Sequence, residues 1–405
     1  MKVEIPSYLS VEDADPFPYY ELLRDHTESG VHWDQEMGAW LTVGHADTAR
    51  VHRDEETFRH PYWDLPGAVE VQGGARGILM LKGRDHTSVH RFLIRHFSSR
   101  VVDDYRARYT KPLVKRLTDR FISEGRVELS SALAEHLPAY VICALLGVSI
   151  DDEDVLARCK EWNDDIMRWS ETFGEDPGVL EDARRSARNL AEVLIPIIRD
   201  REHNPQDDLV SALWREGPNL LENWNEADVL AQARVMLFAG SETTMHLLRN
   251  ALYLLLDRPD LRNRLREQPE LIPGFVEETL RYYGVIHFRI RTAAVDTELS
   301  GCPVAAGDRI HPVNSAANRD PSRFDDPGEF RIGRENIKDH LAFGLGPRMC
   351  VGANLARSEA IEVVEHLLER LPDLQLDETQ EPPRMQGHMP RSYTPLHARW
   401  TAPGA

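Results

Sequence analysis

The chain reads as mainly α with a minor β part. Three observations predict this. Helical hydrophobic periodicity runs, with breaks, from Asp85 to about Leu271; one pattern inside it is unusually long; and a β-rich stretch covers Ile290 to Ile310. Near the N-terminus the pattern predicts a short helix over Tyr19–Asp25 and strands around Val31–Trp33 and Trp40–Val43. Tyr62 to Gly77, rich in Pro, Gly and aromatics, reads as loop. Gly147, Pro177, Pro205, Pro218, Pro259 and Pro269 punctuate the helical middle. The apolar run Ala139–Val148 is about ten residues, half of the roughly 20 that a membrane span needs, so it reads as a buried helix. Gly301-Cys302-Pro303 and Ala306-Gly307-Asp308 supply turns in the β-rich stretch. A Pro/Asp/Arg-rich meander follows from Asn318 to Asn336, and a last helix from about Cys350 to Leu371. No repeat or low-complexity linker divides the chain. Residues 1–405 therefore read as a single domain, although a length of 405 alone allows two or three.

The long pattern begins where Asn225 and Asp228 resemble a capping box, and runs unbroken to Asp257, before Pro259. That is about 30 residues, or roughly 45 Å of helix. In its middle sits Ala239-Gly240-Ser241-Glu242-Thr243-Thr244. Gly and Thr are poor interior helix formers, costing roughly 0.5–1 kcal/mol each against Ala. Two readings stay open. Either a group approaches the backbone at Gly240 and a hydroxyl is wanted at Thr243 or Thr244, or the glycine serves packing and the threonines bond back to the preceding turn.

Lys and Arg number 48 against 67 Asp and Glu, a net charge of −19. This excludes a nucleic-acid binder and disfavours anionic membranes. The first twenty residues carry acids and prolines where a secretory signal needs an apolar run. The four cysteines, Cys143, Cys159, Cys302 and Cys350, form neither a disulfide framework nor a CxxC zinc pair. A soluble, cytoplasmic protein in a reducing compartment is expected.

One cysteine stands apart. In Phe343-Gly344-Leu345-Gly346-Pro347-Arg348-Met349-Cys350-Val351-Gly352, two glycines, a proline and an arginine lead into Cys350 at a predicted helix start. Free N–H groups and the helix dipole at such a start favour thiolate. The glycines let backbone loop around the sulfur and leave room for a flat ligand. Arg348 suits a carboxylate on that ligand. The other three cysteines lack such surroundings and read as filler.

This segment resembles the haem-binding signature of the cytochrome P450 superfamily. Three further stretches resemble the same family, in its order and spacing: Glu278-Thr279-Leu280-Arg281 its ExxR helix, residues 239–244 its AGxET tract, and Phe330–Arg334 the meander whose arginine completes a Glu–Arg–Arg triad. The resemblance covers essentially the whole chain. It implies a P450 fold with haem b between the long helix and the cysteine-ligand helix, Cys350 being the iron ligand. Phe343 would pack beside the sulfur, Gly344, Gly346 and Gly352 would keep the loop close to the porphyrin, Ala239 and Gly240 would face the haem, and Glu278, Arg281 and Arg334 would form the supporting triad. For the haem propionates it implies Arg348, Arg291 and His86. Many relatives carry an arginine four residues after that histidine; here His90 holds the position and Arg91 follows, so either could serve. Glu242 would relay protons and Thr243 would hold water or bound oxygen by its hydroxyl.

The reaction so implied is insertion of one O2 oxygen into a hydrophobic small molecule: hydroxylation, epoxidation or oxidative dealkylation. Electrons would come from NAD(P)H through a ferredoxin reductase and an iron–sulfur ferredoxin. Lys82, Arg84, Arg91, Arg95 and Arg100 make a basic island in an acidic chain, and Arg91, Arg95 and Arg100 are the expected dock for an acidic ferredoxin. Pocket walls are expected from Tyr62–Gly74, Ile166–Phe173, Met236–Gly240, Val285–Phe288 and Met389–Tyr393, with Met236, Val285, Ile286 and His287 as lining residues. A terpenoid, steroid, polyketide or aromatic would suit them, and secondary metabolism is the expected setting. Relatives commonly carry Pro at the position of Gly284. A monomer is expected. Two alternatives remain: a peroxide-dependent or non-redox haem-thiolate enzyme, against which Glu242 and Thr243 count, and a non-catalytic haem or gas-binding protein, against which the lack of an output domain counts.

Overall fold

A computed structural model gives the fold and describes residues 5–11, 14–27, 29–60, 65–172 and 176–402. The expected pocket residues 62–64 and 173 lie outside the described residues. The chain forms two compact units. The first is Met1–Pro61, Arg249–Cys350 and Gln375–His397; the second is Tyr62–Leu248, Val351–Leu374 and Ala398–Ala405.

The first unit carries the β part. Its five-stranded sheet runs in the order Val31–Asp34, Ala39–Thr42, Arg309–Pro312, Arg291–Ala293, Phe58–Arg59. The first two strands form an antiparallel hairpin with Val31 opposite Thr42, and Ala39–Thr42 pairs in parallel with Arg309–Pro312. Alternation places Val31, Phe58, Ala293 and Ile310 on one face, where they pack with Val51, Leu299 and Val304. Helices Phe17–His26, His45–Arg53 and Ile272–Tyr282 complete this unit's main elements. The helix His45–Arg53 and the strands Arg384–Gln386 and Ser392–Thr394 go beyond the sequence expectations.

The second unit is helical. Leu137–Leu145 is buried at all nine positions, as its all-round apolar sequence requires. Glu153–Glu171 packs against Pro177–His203. Aspartates start these helices: Asp152 accepts from the Val155 N–H, and Asp176 from those of Gly178 and Val179. Pro177 occupies the first turn, where its missing N–H costs nothing.

The long helix spans Glu226–Asp257. Its start is the reciprocal cap the sequence suggests: the Asn225 N–H donates to Asp228 Oδ2 (2.9 Å) and the Ala227 N–H to Asn225 Oδ1 (2.9 Å). The last helix runs Ala353–Arg370, so Cys350 lies three residues before it, after a tight turn over Gly346–Arg348. Dipole effects fade within the first turn, so the loop backbone, more than the helix, sets the surroundings of this sulfur. Among the described residues, no helix is long and apolar enough to cross a membrane.

Candidate active site

Cys350 is half-buried and in no disulfide among the described residues. Its N–H donates to Phe343 O (2.9 Å), which closes the loop 343–350 on itself. Gly344 and Gly346 sit in the left-handed region, at φ +69° and +76°. A Cβ at Gly346 would also stand 2.9 Å from Arg53 Cα and 3.0 Å from His52 O, so the helix His45–Arg53 admits no side chain there. Gly352 has an ordinary φ of −85° and caps the last helix.

Below this loop lies a fully paired ionic network. Glu278 and Arg281 are one turn apart on helix Ile272–Tyr282, and both are wholly buried. Arg281 donates to both carboxylate oxygens (2.8 and 2.6 Å), and Arg334 Nε adds a third bond at 3.0 Å. The remaining Arg281 protons go to carbonyls of Asn318, Pro327 and Glu329. Asn318 continues the chain, because its Oδ1 accepts from the Leu341 N–H at 2.6 Å. Leu341 stands two residues before Phe343, so the triad reaches the cysteine loop through Asn318, a link that no sequence motif signals.

Arg348 is half-buried, with its side chain largely covered, and donates to Glu55 Oε1 from Nε (2.8 Å) and Nη2 (2.6 Å). Burial lowers its pKa and Glu55 acts against that. The guanidinium thus already holds a carboxylate, the group the sequence reading assigned to it, but from this chain's own Glu55. Arg291 is buried, with Nη1 on the Ile290 carbonyl (2.7 Å). Burial first, then the charges of Arg291 and Arg289, push His52 down to about 3. His52 is therefore neutral, and its Nε2 lies 2.7 Å from Asn314 Oδ1.

On helix Gly83–His96, His86 is buried and His90 half-buried, their rings 5.3 Å apart. Arg91 is exposed, as are Arg84 on the same helix, Lys82 just before it and Arg100 on helix Ser99–Tyr105. Arg95 is also exposed but bonds Glu216 (2.7 Å), which His96 shares (3.1 Å). Arg95 is thus partly neutralised, a pairing across 121 residues that sequence reading could not see.

In the long helix, residues 231–238 are all buried, then Ala239 is exposed and Gly240, Glu242 and Thr243 are half-buried. The neighbour at Gly240 is Ile142, whose Cδ1 would be 2.7 Å from a Cβ there. The Thr243 hydroxyl donates to Ala239 O (2.8 Å), bonding back as one reading allowed. Its oxygen still has lone pairs to accept with. Glu242 Oε1 lies 3.7 Å from His246 Nε2, and Oε2 is buried without a partner among the described residues. Asp164, bonded to Lys160 at 2.6 Å, is raised by burial and by the field of Glu242, against the pull of Lys160.

Of the expected lining residues, Met236, Val285 and Ile286 are buried. His287 needs correction. It is wholly buried in the first unit's core, its Nδ1 3.0 Å from the Tyr20 hydroxyl and its ring against Phe17 and Tyr20. With Nδ1 on the phenol and the ring packed on Phe17 and Tyr20, this histidine sits in the core. Gly284 has φ +70°, and a Cβ would meet Ser315 Oγ at 2.3 Å. Proline, fixed near −65°, cannot occupy that turn. Asn250, fully buried, ties the turn down by donating to the carbonyls of Gly284 and Arg391.

A thiol in a glycine loop, a buried Glu–Arg–Arg brace and an acid–alcohol pair on a long helix define a haem-thiolate protein. The Cytochrome P450 family profile matches residues 32–396, and the chain belongs to that family. It is 34% identical over 372 residues to cytochrome P450 monooxygenase PikC of Streptomyces venezuelae, covering 90% of this chain and 86% of the relative. It is 33% identical over 364 residues to the mycinamicin IV hydroxylase/epoxidase of Micromonospora griseorubida, covering 88% of each. Its fold matches the crystal structure of P450BioI in complex with hexadec-9Z-enoic acid ligated acyl carrier protein, with TM-score 0.84, 27% identity and coverage of 96% and 98%. The chain is thus a cytochrome P450 monooxygenase, and the family implies haem, a bound substrate and O2. The non-catalytic alternative falls.

Proposed function

We propose that this enzyme hydroxylates or epoxidises a hydrophobic natural product, with electrons from NAD(P)H through a ferredoxin reductase and an iron–sulfur ferredoxin, and that residues 1–405 act as one haem domain in a reducing, cytoplasmic setting. The observation that carries the reading is the accessible Cys350 thiol in a loop that glycines and the Glu278 network hold in place. The residues present fit haem b in chemistry. Cys350 would ligate its iron, Phe343 would pack beside the sulfur, Gly344 and Gly352 would keep the loop close to the porphyrin, and the exposed Ala239 offers a small side chain to it, Gly240 being packed against Ile142. Arg348, Arg291 and His86 take the propionates. His90 joins them, since it shares a helix face with His86 while Arg91 points outward.

Bound haem supplies the iron that activates O2, with the thiolate favouring O–O cleavage. The chain's own part is proton handling. Glu242 would carry protons inward on Oε2, and Thr243 Oγ1, its own hydrogen committed to Ala239 O, would accept a hydrogen bond from a water. His246 Nε2 stands 3.7 Å from the other Glu242 oxygen, and Asp164, paired with Lys160, lies within the field of Glu242. Arg91 and Arg100, with Lys82 and Arg84, form the ferredoxin dock; Arg95 contributes less because Glu216 pairs with it.

The relative named for mycinamicin IV makes that compound the first to test. The ferric enzyme is titrated with mycinamicin IV and, as a fatty-acid arm, hexadecenoate, following the Soret shift of iron-bound water loss. Compounds that shift the spectrum are then turned over with NADPH, reductase and ferredoxin, or with hydrogen peroxide alone. The proposal expects oxygenated product from the reductase chain. Equal or faster product from peroxide alone overturns it in favour of the peroxide-dependent alternative.

A further inference from the structure

The carboxylate on Arg348 comes from a turn that no sequence motif marks. Glu55 lies between helix His45–Arg53 and strand Phe58–Arg59. Asp54 closes this turn twice: its Oδ1 accepts from the Thr57 N–H (3.0 Å) and its carbonyl from the Phe58 N–H (2.9 Å). The strand then pairs antiparallel with Arg291–Ala293, and the Ala294 N–H donates to Thr57 O (2.8 Å). On the other side, the backbone of His52 and Arg53 abuts Gly346. One turn therefore ties the cysteine loop, which carries Arg348, to the strand that carries Arg291. The Arg348 side chain is 7% exposed and that of Glu55 22%, so the pair is sheltered in a way that ordinary surface ion pairs are not.

We propose that Glu55 is a positioning residue for the cofactor, orienting the guanidinium of Arg348 for capture of a haem propionate. The proposal rests on the reading above that Arg348 is a propionate donor. A guanidinium is a planar fork with five N–H donors. Nε and Nη2 both donate to one oxygen, Glu55 Oε1, which fixes the plane of the fork and engages its side edge. The end edge, Nη1 with Nη2, then has a set direction. A carboxylate pairs bidentately with such an edge only when the two are coplanar. An arginine not already held loses more side-chain freedom on capture. Against this stands the negative charge of Glu55, which repels an arriving carboxylate. Glutamine in its place separates the two effects, because it keeps the accepting oxygen and removes the charge.

The test follows haem loss from the ferric enzyme to excess apomyoglobin, after loading with haem or with haem dimethyl ester, whose propionates are blocked. Glu55→Ala should lose haem about tenfold faster than wild type, the usual scale for removing a group that orients a ligand. Glu55→Gln should stay near wild type, since its amide oxygen accepts the same two bonds. With the dimethyl ester, Glu55→Ala and wild type should converge. Arg348→Leu should also lose haem faster, and adding Glu55→Ala to it should change nothing further. If Glu55→Ala loses haem no faster than wild type while Arg348→Leu does, the propionate assignment stands and the role of Glu55 is wrong. If Arg348→Leu itself loses haem no faster, that assignment fails and the proposal with it. If the Glu55→Ala effect persists with the ester, Glu55 only supports the fold and the proposal is overturned. Should the alanine variant not fold, Glu55→Asp, which withdraws the oxygens by one methylene, must show the same ester-sensitive loss.

Discussion

Around Glu278, both carboxylate oxygens and the donors of two arginines find partners, at exposures of 0–7%. Around Glu242, one carboxylate oxygen is buried without a partner among the described residues, the other meets His246 only at 3.7 Å, and the threonine hydroxyl is tied to its own helix. Both regions are built on an acid on a helix, yet they do different work. A saturated acid has no freedom to exchange protons and serves as a brace. An acid with an unmet oxygen can turn and carry one. The distinction predicts stability effects in the first region and chemical effects in the second.

The largest effect is expected from Arg281→Met, which strands the Glu278 charge and costs about 3–5 kcal/mol. Urea unfolding of the variant would show the loss, together with poor haem retention. Gly284→Pro comes next, since it forces a turn at φ +70° into a conformation proline cannot reach; about 3 kcal/mol or more is expected by the same assay. Glu242→Gln should leave unfolding almost unchanged while product formation falls about 10²-fold, and Thr243→Ala should divert reducing equivalents from product to peroxide. An unfolding midpoint that fell with Glu242→Gln would erase the contrast between the regions. A double Arg91→Glu, Arg100→Glu variant should slow ferredoxin association about tenfold at low salt, with the gap closing as salt rises.

The smallest effect concerns a third acid. Glu359, on the last helix, is fully buried with neither carboxylate oxygen partnered among the described residues, and burial raises its pKa well above the ordinary value. The native state keeps that proton where the unfolded chain releases it. Stability is therefore lost as pH rises above the unfolded carboxylate range. Glu359→Gln removes this dependence. Its melting temperature should exceed wild type by roughly 2–4 °C at pH 8, the equivalent of about 1 kcal/mol, and converge with it near pH 5.

What was legible in the sequence followed local rules. The Asn225–Asp228 cap, the buried Leu137–Leu145 helix and the short strands near residues 31–43 and 290–310 depend on neighbours a few positions apart. The cysteine loop and the triad were legible because their spacing resembles a family pattern. The rest is made by distant contacts. Glu55 meets Arg348 across 293 residues, Glu216 meets Arg95 across 121, and Tyr20 meets His287 Nδ1 across 267. No periodicity marks such pairs, which is why His287 read as a pocket residue and Arg95 as an unpaired dock. Gly284 could be flagged as a departure from proline, but its left-handed turn and the Ser315 hydroxyl beside it emerge only in three dimensions.

The central claim is that Cys350 gives haem iron a thiolate ligand. The most direct measurement is the carbon monoxide difference spectrum of the reduced enzyme beside that of Cys350→Ser. A strongly red-shifted Soret band in the wild type and its loss in the variant is the predicted result. A wild-type band at the position typical of histidine-ligated haem, or one that survives in Cys350→Ser, would contradict the account.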